Sequence, residues 1–146
     1  MYRILIACIS YIVLTFVIAM TWNMVLFRDI YISLAASSLR PEPIVPLGLL
    51  TVVIEAVALS LLFHTFYRSA PSFKNALLLA LSVGTFNMTY AAFTVPAKFL
   101  ISPVWQYASL ELAFGIVHYG LAGIAFFFIF GKRVTQDVRA IDGATS

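Results

Sequence analysis

Apolar residues fall into four long runs along the chain, Ile4 to Phe27, Pro46 to Tyr67, Asn75 to Val95 and Trp105 to Phe130, separated by short polar or proline-bearing segments. Each run is close to the ~20 residues that a helix rising ~1.5 Å per residue needs to cross ~30 Å of hydrocarbon. The pattern predicts an all-α membrane protein, an antiparallel four-transmembrane-helix bundle. It forms a single domain over residues 1–146, with a short tail over 131–146.

The punctuation supports this division. Arg28 and Asp29 end the first run, and Pro41, Pro43 and Pro46 forbid a continuous helix into the second, Pro46 being suited to a first helical turn. Residues 30–39 are expected to form a short interfacial helix, Arg68 to Lys74 a tight connection, and Pro96 to Pro103 a turn. Short connections imply neighbours that run in opposite directions. Arg3 followed by an apolar stretch, with Ala35-Ala36-Ser37 downstream, has the outline of a secretory signal. The stretch exceeds the roughly 7 to 15 residues of a signal core, so it is read as a retained helix.

Composition narrows the class further. With 62% hydrophobic and 10% charged residues, the chain is too apolar for a soluble domain, where charged residues make up about 25%. The single cysteine, Cys8, excludes a disulfide framework and a thiolate metal site. The formal charge of +3 does not mark a nucleic-acid binder, because the basic residues stand at the ends of apolar runs and form no patch. Their distribution instead sets orientation. Arg3, Arg68, Lys74, Lys132, Arg133 and Arg139 would share one side of the membrane, against Arg28, Arg40 and Lys98 on the other. The richer side is expected to be cytoplasmic, with both termini. Trp22, Trp105 and Tyr107 would then belong to an outer aromatic belt.

Polar groups inside the spans are costly and usually face the bundle interior. In the second run Gly48, Thr51, Glu55 and Ala58 share one helical face, which is expected to point inward. In the fourth, Glu111, Gly115, His118, Ala122 and Ala125 form a similar stripe, with Glu111 and His118 ~10 Å apart along the axis. Ala76, Ala80 and Gly84 make a small-xxx-small pattern that admits a close neighbouring backbone, and Asn87, Tyr90 and Ala91 continue near that side. Thr15, Ala19, Trp22 and Asn23 share a face of the first helix. The candidate ligand or proton site therefore consists of Glu55, Glu111 and His118 in one outer-half cavity, with Trp22, Asn23, Asn87 and Tyr90 as walls. Each also has a plainer role: the carboxyls as neutral hydrogen-bonding groups between helices, His118 as a satisfied interhelical histidine, the amides as interhelical glue.

No GxSxG elbow, Walker loop, GxGxxG or HExxH is present. A di-iron bundle would need Glu-x-x-His pairs, whereas Glu111 and His118 stand seven apart. No metal site and no cofactor is assigned. Trp22 and Phe27 at the end of the first helix, Tyr31, Pro46-Leu47-Gly48, and Pro103-Val104-Trp105 followed by Glu111 resemble small bacterial four-helix inner-membrane proteins of families of unknown function. The resemblance covers most of residues 2–131. It implies a bacterial cytoplasmic-membrane location and carries over no catalytic residue.

Three function classes remain. The outer-half cluster binds or translocates a small molecule, ion or proton. Alternatively the chain is an accessory subunit, docked as a homodimer or in a larger membrane complex. Thirdly, it is a membrane enzyme acting on a lipophilic substrate, with a carboxyl and His118 as acid and base. The lipid bilayer is the expected partner in all three.

Overall fold

The computed structural model of the chain describes residues 2–35, 40, 42, 44–67 and 71–131. Pro41, Pro43, Ala36, Ser37, Arg68, Lys132, Arg133 and Arg139, used above for punctuation and orientation, lie outside the described residues. The described chain is all-α. Its helices are α1 (Tyr2–Leu26), α2 (Arg28–Ala35), α3 (Val45–Phe66), α4 (Phe73–Lys98) and α5 (Val104–Gly131). Four of them, all but α2, are long and apolar enough to cross a membrane.

Local chemistry explains their ends. Pro46 sits in the first turn of α3, where its missing N–H leaves no hydrogen bond unmade. Ser72 caps α4, its hydroxyl accepting from the Asn75 backbone N–H at 3.1 Å. The third span was expected to stop before Pro96, yet α4 continues to Lys98. A π-helical segment, Tyr90–Thr94, widens the ladder, and Val95 starts a fresh turn in which Pro96 takes a first-turn position. The proline is thereby accommodated without the loss of an interior bond. A second π segment, Thr21–Leu26, ends α1, closed by the Phe27 N–H bonded to the Trp22 carbonyl at 3.0 Å.

Packing is built around α5, which buries Ala108, Gly115, His118, Tyr119, Ala122, Gly123, Phe126 and Phe130 against its neighbours. Contacts ascend one helix as they descend the other. Along α1 and α5 they pair Arg3 with Phe130, Tyr11 with Phe126, Thr15 with His118 and Trp22 with Phe114. Ala76, Ala80 and Gly84 are all buried. A Cβ at Gly123 would stand 3.1 Å from the Ala80 Cβ and 3.2 Å from the Ala76 carbonyl oxygen, and one at Gly84 would overlap the Tyr119 ring. Small residues on both helices therefore set the α4–α5 approach.

The two ends of the bundle differ. At the Arg3 end, Phe63, Phe126 and Phe130 form a solid aromatic core, with Phe63 and Phe126 edge to face at 4.8 Å. At the other end α2 folds back over the bundle. Leu34 and Ala35 bury against Ile101, and the Ser102 N–H donates to the Leu34 carbonyl at 3.0 Å. The short helix anticipated at residues 30–39 begins two residues earlier, at Arg28, and residues 36–39 of that expectation lie outside the described residues.

One expected face is corrected. Gly48, Thr51 and Ala58 of α3 are exposed, and the buried stripe is Ala56, Leu59, Ser60 and Phe63. Aromatic and small residues in the second half of α3 fit α1 and the Phe126 cluster, which rotates Gly48 and Thr51 outward. The Thr51 hydroxyl needs no inward partner, because it bonds the Leu47 carbonyl of its own helix at 3.1 Å. Thr85, Thr89 and Ser109, also on exposed faces, do the same with Leu81, Thr85 and Trp105.

Candidate functional site

Glu55 sits at the edge of the buried α3 stripe, about 100° around the helix from Ala56, where α1 and α4 reach it. The Tyr11 hydroxyl donates to Oε2 at 2.9 Å, and the Asn87 amide donates to Oε1 at 2.8 Å. The same Asn87 nitrogen donates to the Tyr119 hydroxyl at 2.9 Å. One carboxyl therefore joins α1, α3 and α4 directly, and α5 through Asn87. Every partner is a neutral donor, an arrangement that holds a carboxyl without a counter-charge.

His118 lies beside this layer. It is buried, and Nε2 shares a hydrogen bond with the Thr15 hydroxyl at 2.8 Å. Its ring is walled by Tyr11 at 5.3 Å, Tyr119 at 4.8 Å and Phe114 at 5.6 Å. A third polar pair is sulfur-based: the Cys8 thiol donates to the Ser60 hydroxyl at 3.4 Å.

Glu111 belongs to a separate layer nearer α2. It lines two hollows. The inner one, about 80 Å³, also has Asn87, His118 and Tyr119 on its walls. The outer one, about 360 Å³, lies beneath α2 and is lined by Asn23, Tyr31, Phe99 and Tyr107 among others. Burial and then the Glu111 carboxyl push the Tyr31 hydroxyl above the usual tyrosine range. The shielded Trp22 Nε1 has no hydrogen-bond partner among the described residues, while its ring packs on Phe27 and Phe114.

The placement of the expected site residues is mixed. Asn87, Glu111 and His118 line one hollow, and Glu55 joins it through Asn87. Asn23 lines the outer hollow and donates to the Ala19 carbonyl at 3.0 Å. Tyr90 is not among the walls. It is 55% exposed, with the Lys98 ammonium 5.9 Å above its ring. The buried face of α4 runs through Gly84 and Ala92, and Tyr90 at the start of the π segment projects away from it.

Tyr11 and Tyr119 complete the inner network and are absent from the residues singled out by sequence. A signal for them exists. Tyrosine ordinarily marks the membrane–water interface, so one in the middle of an apolar run needs an internal partner for its hydroxyl. Tyr11 stands between Ala7 and Thr15 at four-residue steps, on what proves to be the buried face.

Among the described residues, no three His, Cys, Asp or Glu side chains gather closely enough to hold a metal ion. The arrangement can bind water, exchange protons at its hydroxyl, imidazole and carboxyl groups, or hold a cation against Glu111. Comparison with protein-family models, with curated proteins and with solved structures gave no match.

Proposed function

We propose that this chain is a four-span protein of the bacterial cytoplasmic membrane whose polar interior binds or translocates a proton or small cation, entering from the α2 side. The observation that supports the reading is that Glu111 is common to the walls of both hollows, the one under α2 and the one lined by Asn87, His118 and Tyr119. Volume favours small cargo at the inner position. About 80 Å³ accommodates a few waters, well below the ~300 Å³ at which drug-sized ligand sites begin. The aromatic packing at the Arg3 end fills that side of the bundle and so supports access from the α2 side.

Orientation in this reading follows from the six-to-three division of Lys and Arg, which puts both termini in the cytoplasm. Trp105, 76% exposed at the start of α5, suits the outer belt. With Cys8 replaced, a cysteine introduced at residue 140 should resist a membrane-impermeant reagent added to intact cells. Labelling from outside would overturn the orientation.

The function is tested in liposomes loaded with a pH-sensitive dye. Proton entry after an external acid step, with charge balanced by an ionophore, should exceed that of empty liposomes and be lost in both Glu55→Gln and Glu111→Gln. The amide preserves shape and hydrogen bonding but cannot ionise. If both variants pass protons as the parent does while eluting as the same monodisperse species, the carboxyls are structural and the reading fails.

A second reading rests on the outward face of α3. Gly48, Thr51 and Ala58 present small side chains to the exterior, a surface on which another helix packs closely. In that reading the chain is a homodimer or a subunit of a larger membrane complex. Disulfide trapping between Ala58→Cys copies would test it.

A further inference from the structure

We propose that the hollow beneath α2 is a binding site for a small organic ammonium ion, whose cationic head sits in the corner between Tyr31 and Tyr107 and is neutralised by Glu111. The inference rests on the polar-interior reading above and names the class of cation admitted to its outer chamber.

Three observations converge on this class. The first is the shape of the aromatic corner. The Tyr31 and Tyr107 rings meet edge to face, 6.1 Å between centroids at 89°, and Phe99 stands on the same wall. Perpendicular rings present faces along two directions, and aromatic faces attract cations through their quadrupole. Tyr31 comes from α2 and Tyr107 from α5, so the corner exists only because α2 folds back over the bundle. Its position is held by the Leu34–Ser102 backbone bond and the burial of Leu34 and Ala35 on Ile101.

The second is charge. Among the described residues that line this hollow, Glu111 is the one carboxylic acid and none is Lys or Arg. An anion would find no partner there. An inorganic divalent cation would find too few oxygens, since calcium takes about six to eight and magnesium demands six in an octahedron. A poorly hydrated ammonium needs only one carboxylate and aromatic faces.

The third is size and polarity. About 360 Å³ lies at the small end of organic-ligand sites. The remaining walls, which include Val95 and Ile101, are apolar and suit alkyl substituents on nitrogen. Asn23 supplies a single amide from the π segment of α1.

The test uses the full chain in detergent and calorimetric titration with three probes: choline, its neutral isostere 3,3-dimethyl-1-butanol, and potassium. Choline should bind at least about tenfold more tightly than the isostere or potassium, because the two organic probes share a shape and differ in charge. Tyr31→Leu and Tyr107→Leu should each weaken choline about tenfold, the size of a desolvated cation–π contact. Tyr31→Phe, which keeps the ring, should retain binding. Equal affinity for choline and the isostere would show a merely apolar hollow and overturn the proposal. So would an absence of choline binding in a parent protein that still shows Glu111-dependent proton entry, which leaves the polar-interior reading standing. Choline binding in a protein that passes no protons would instead remove that reading and keep the outer site. Loss of binding in Tyr31→Phe as well as Tyr31→Leu would assign recognition to the hydroxyl and refute the cage.

Discussion

Asn87 on α4 reaches Glu55 on α3 with a 2.8 Å hydrogen bond, across two helices whose backbones share little packing. The link matters because Glu55 also accepts from Tyr11 and Asn87 also donates to Tyr119. A single carboxyl thus couples α3 to α4, a pair that share little direct packing, while also joining α1. Asn87→Leu should cost about 1 to 2 kcal/mol of unfolding free energy in detergent, since interhelical hydrogen bonds in membranes average ~0.6 kcal/mol each and reach ~1.7. Tyr11→Phe should cost less. The two act on one acceptor, so the double variant should depart from the sum of the singles by more than the ~0.3–0.5 kcal/mol scatter of independent sites. Additivity would show that Glu55 does not connect them.

Close approach at the α4–α5 seam predicts a steep size limit. Gly84→Leu would drive a side chain into the Tyr119 ring, and Gly123→Leu into Ala76 and Ala80. Overpacking of this kind costs ~1 to 3 kcal/mol. Both should lower the detergent melting temperature well below that of Leu78→Ile, a change at a position 53% exposed. Equal melting temperatures for the three would mean that the seam is not closed by these glycines.

The outward rotation of α3 makes the opposite prediction for residues that share a face in sequence. A Cβ at Gly48 would meet nothing within 4 Å among the described residues, so Gly48→Ala should be tolerated and gain some of the ~1 kcal/mol of helix propensity that glycine forgoes. Ala58→Leu should also be tolerated in monomer stability. If either change unfolds the isolated protein, that face packs inward after all.

Tyr31 provides a pH signature outside the spans. Burial, reinforced by the Glu111 carboxyl, raises its hydroxyl above the ordinary value of 10.0. A raised folded-state pKa means that the unfolded chain releases this proton first as pH climbs. The contribution to stability is present in full below pH ~10 and is lost progressively above it. Tyr31→Phe should therefore flatten the alkaline loss of stability, measured as melting temperature between about pH 9 and pH 11. Ultraviolet titration should show Tyr31 ionising above the ordinary tyrosine value of 10.0. Ionisation of Tyr31 at the ordinary tyrosine value of 10.0 would contradict the burial.

What the chain determined by itself was the number and approximate position of its long apolar helices and the identity of its costly groups. Run length and composition are local quantities: about 20 consecutive apolar residues define a candidate span whatever surrounds them. The small stripe of Ala76, Ala80 and Gly84 was legible for the same reason, since three small residues at four-residue steps lie on one face of any helix. Glu55, Glu111, His118 and Asn87 stood out because polar side chains inside apolar runs are few.

Rotation and partnership were decided only in three dimensions. A helix hydrophobic all round carries almost no amphipathic signal for its inward face, so Gly48 and Thr51 could not be told from the true stripe of Ala56, Ser60 and Phe63. The π segments at Thr21–Leu26 and Tyr90–Thr94 widen the helical turn near the α2 end. A sequence wheel of 3.6 residues per turn does not contain that change, and Tyr90, six residues beyond Gly84, already stands about 120° from it on such a wheel. Tyr11 and Tyr119 acquired their roles only when α1, α3, α4 and α5 brought two hydroxyls, an amide and a carboxyl within 3 Å of one another in sequence-distant pairs. The corner of Tyr31 and Tyr107 likewise depends on how an eight-residue helix folds back, a choice made by the burial of Leu34 and Ala35.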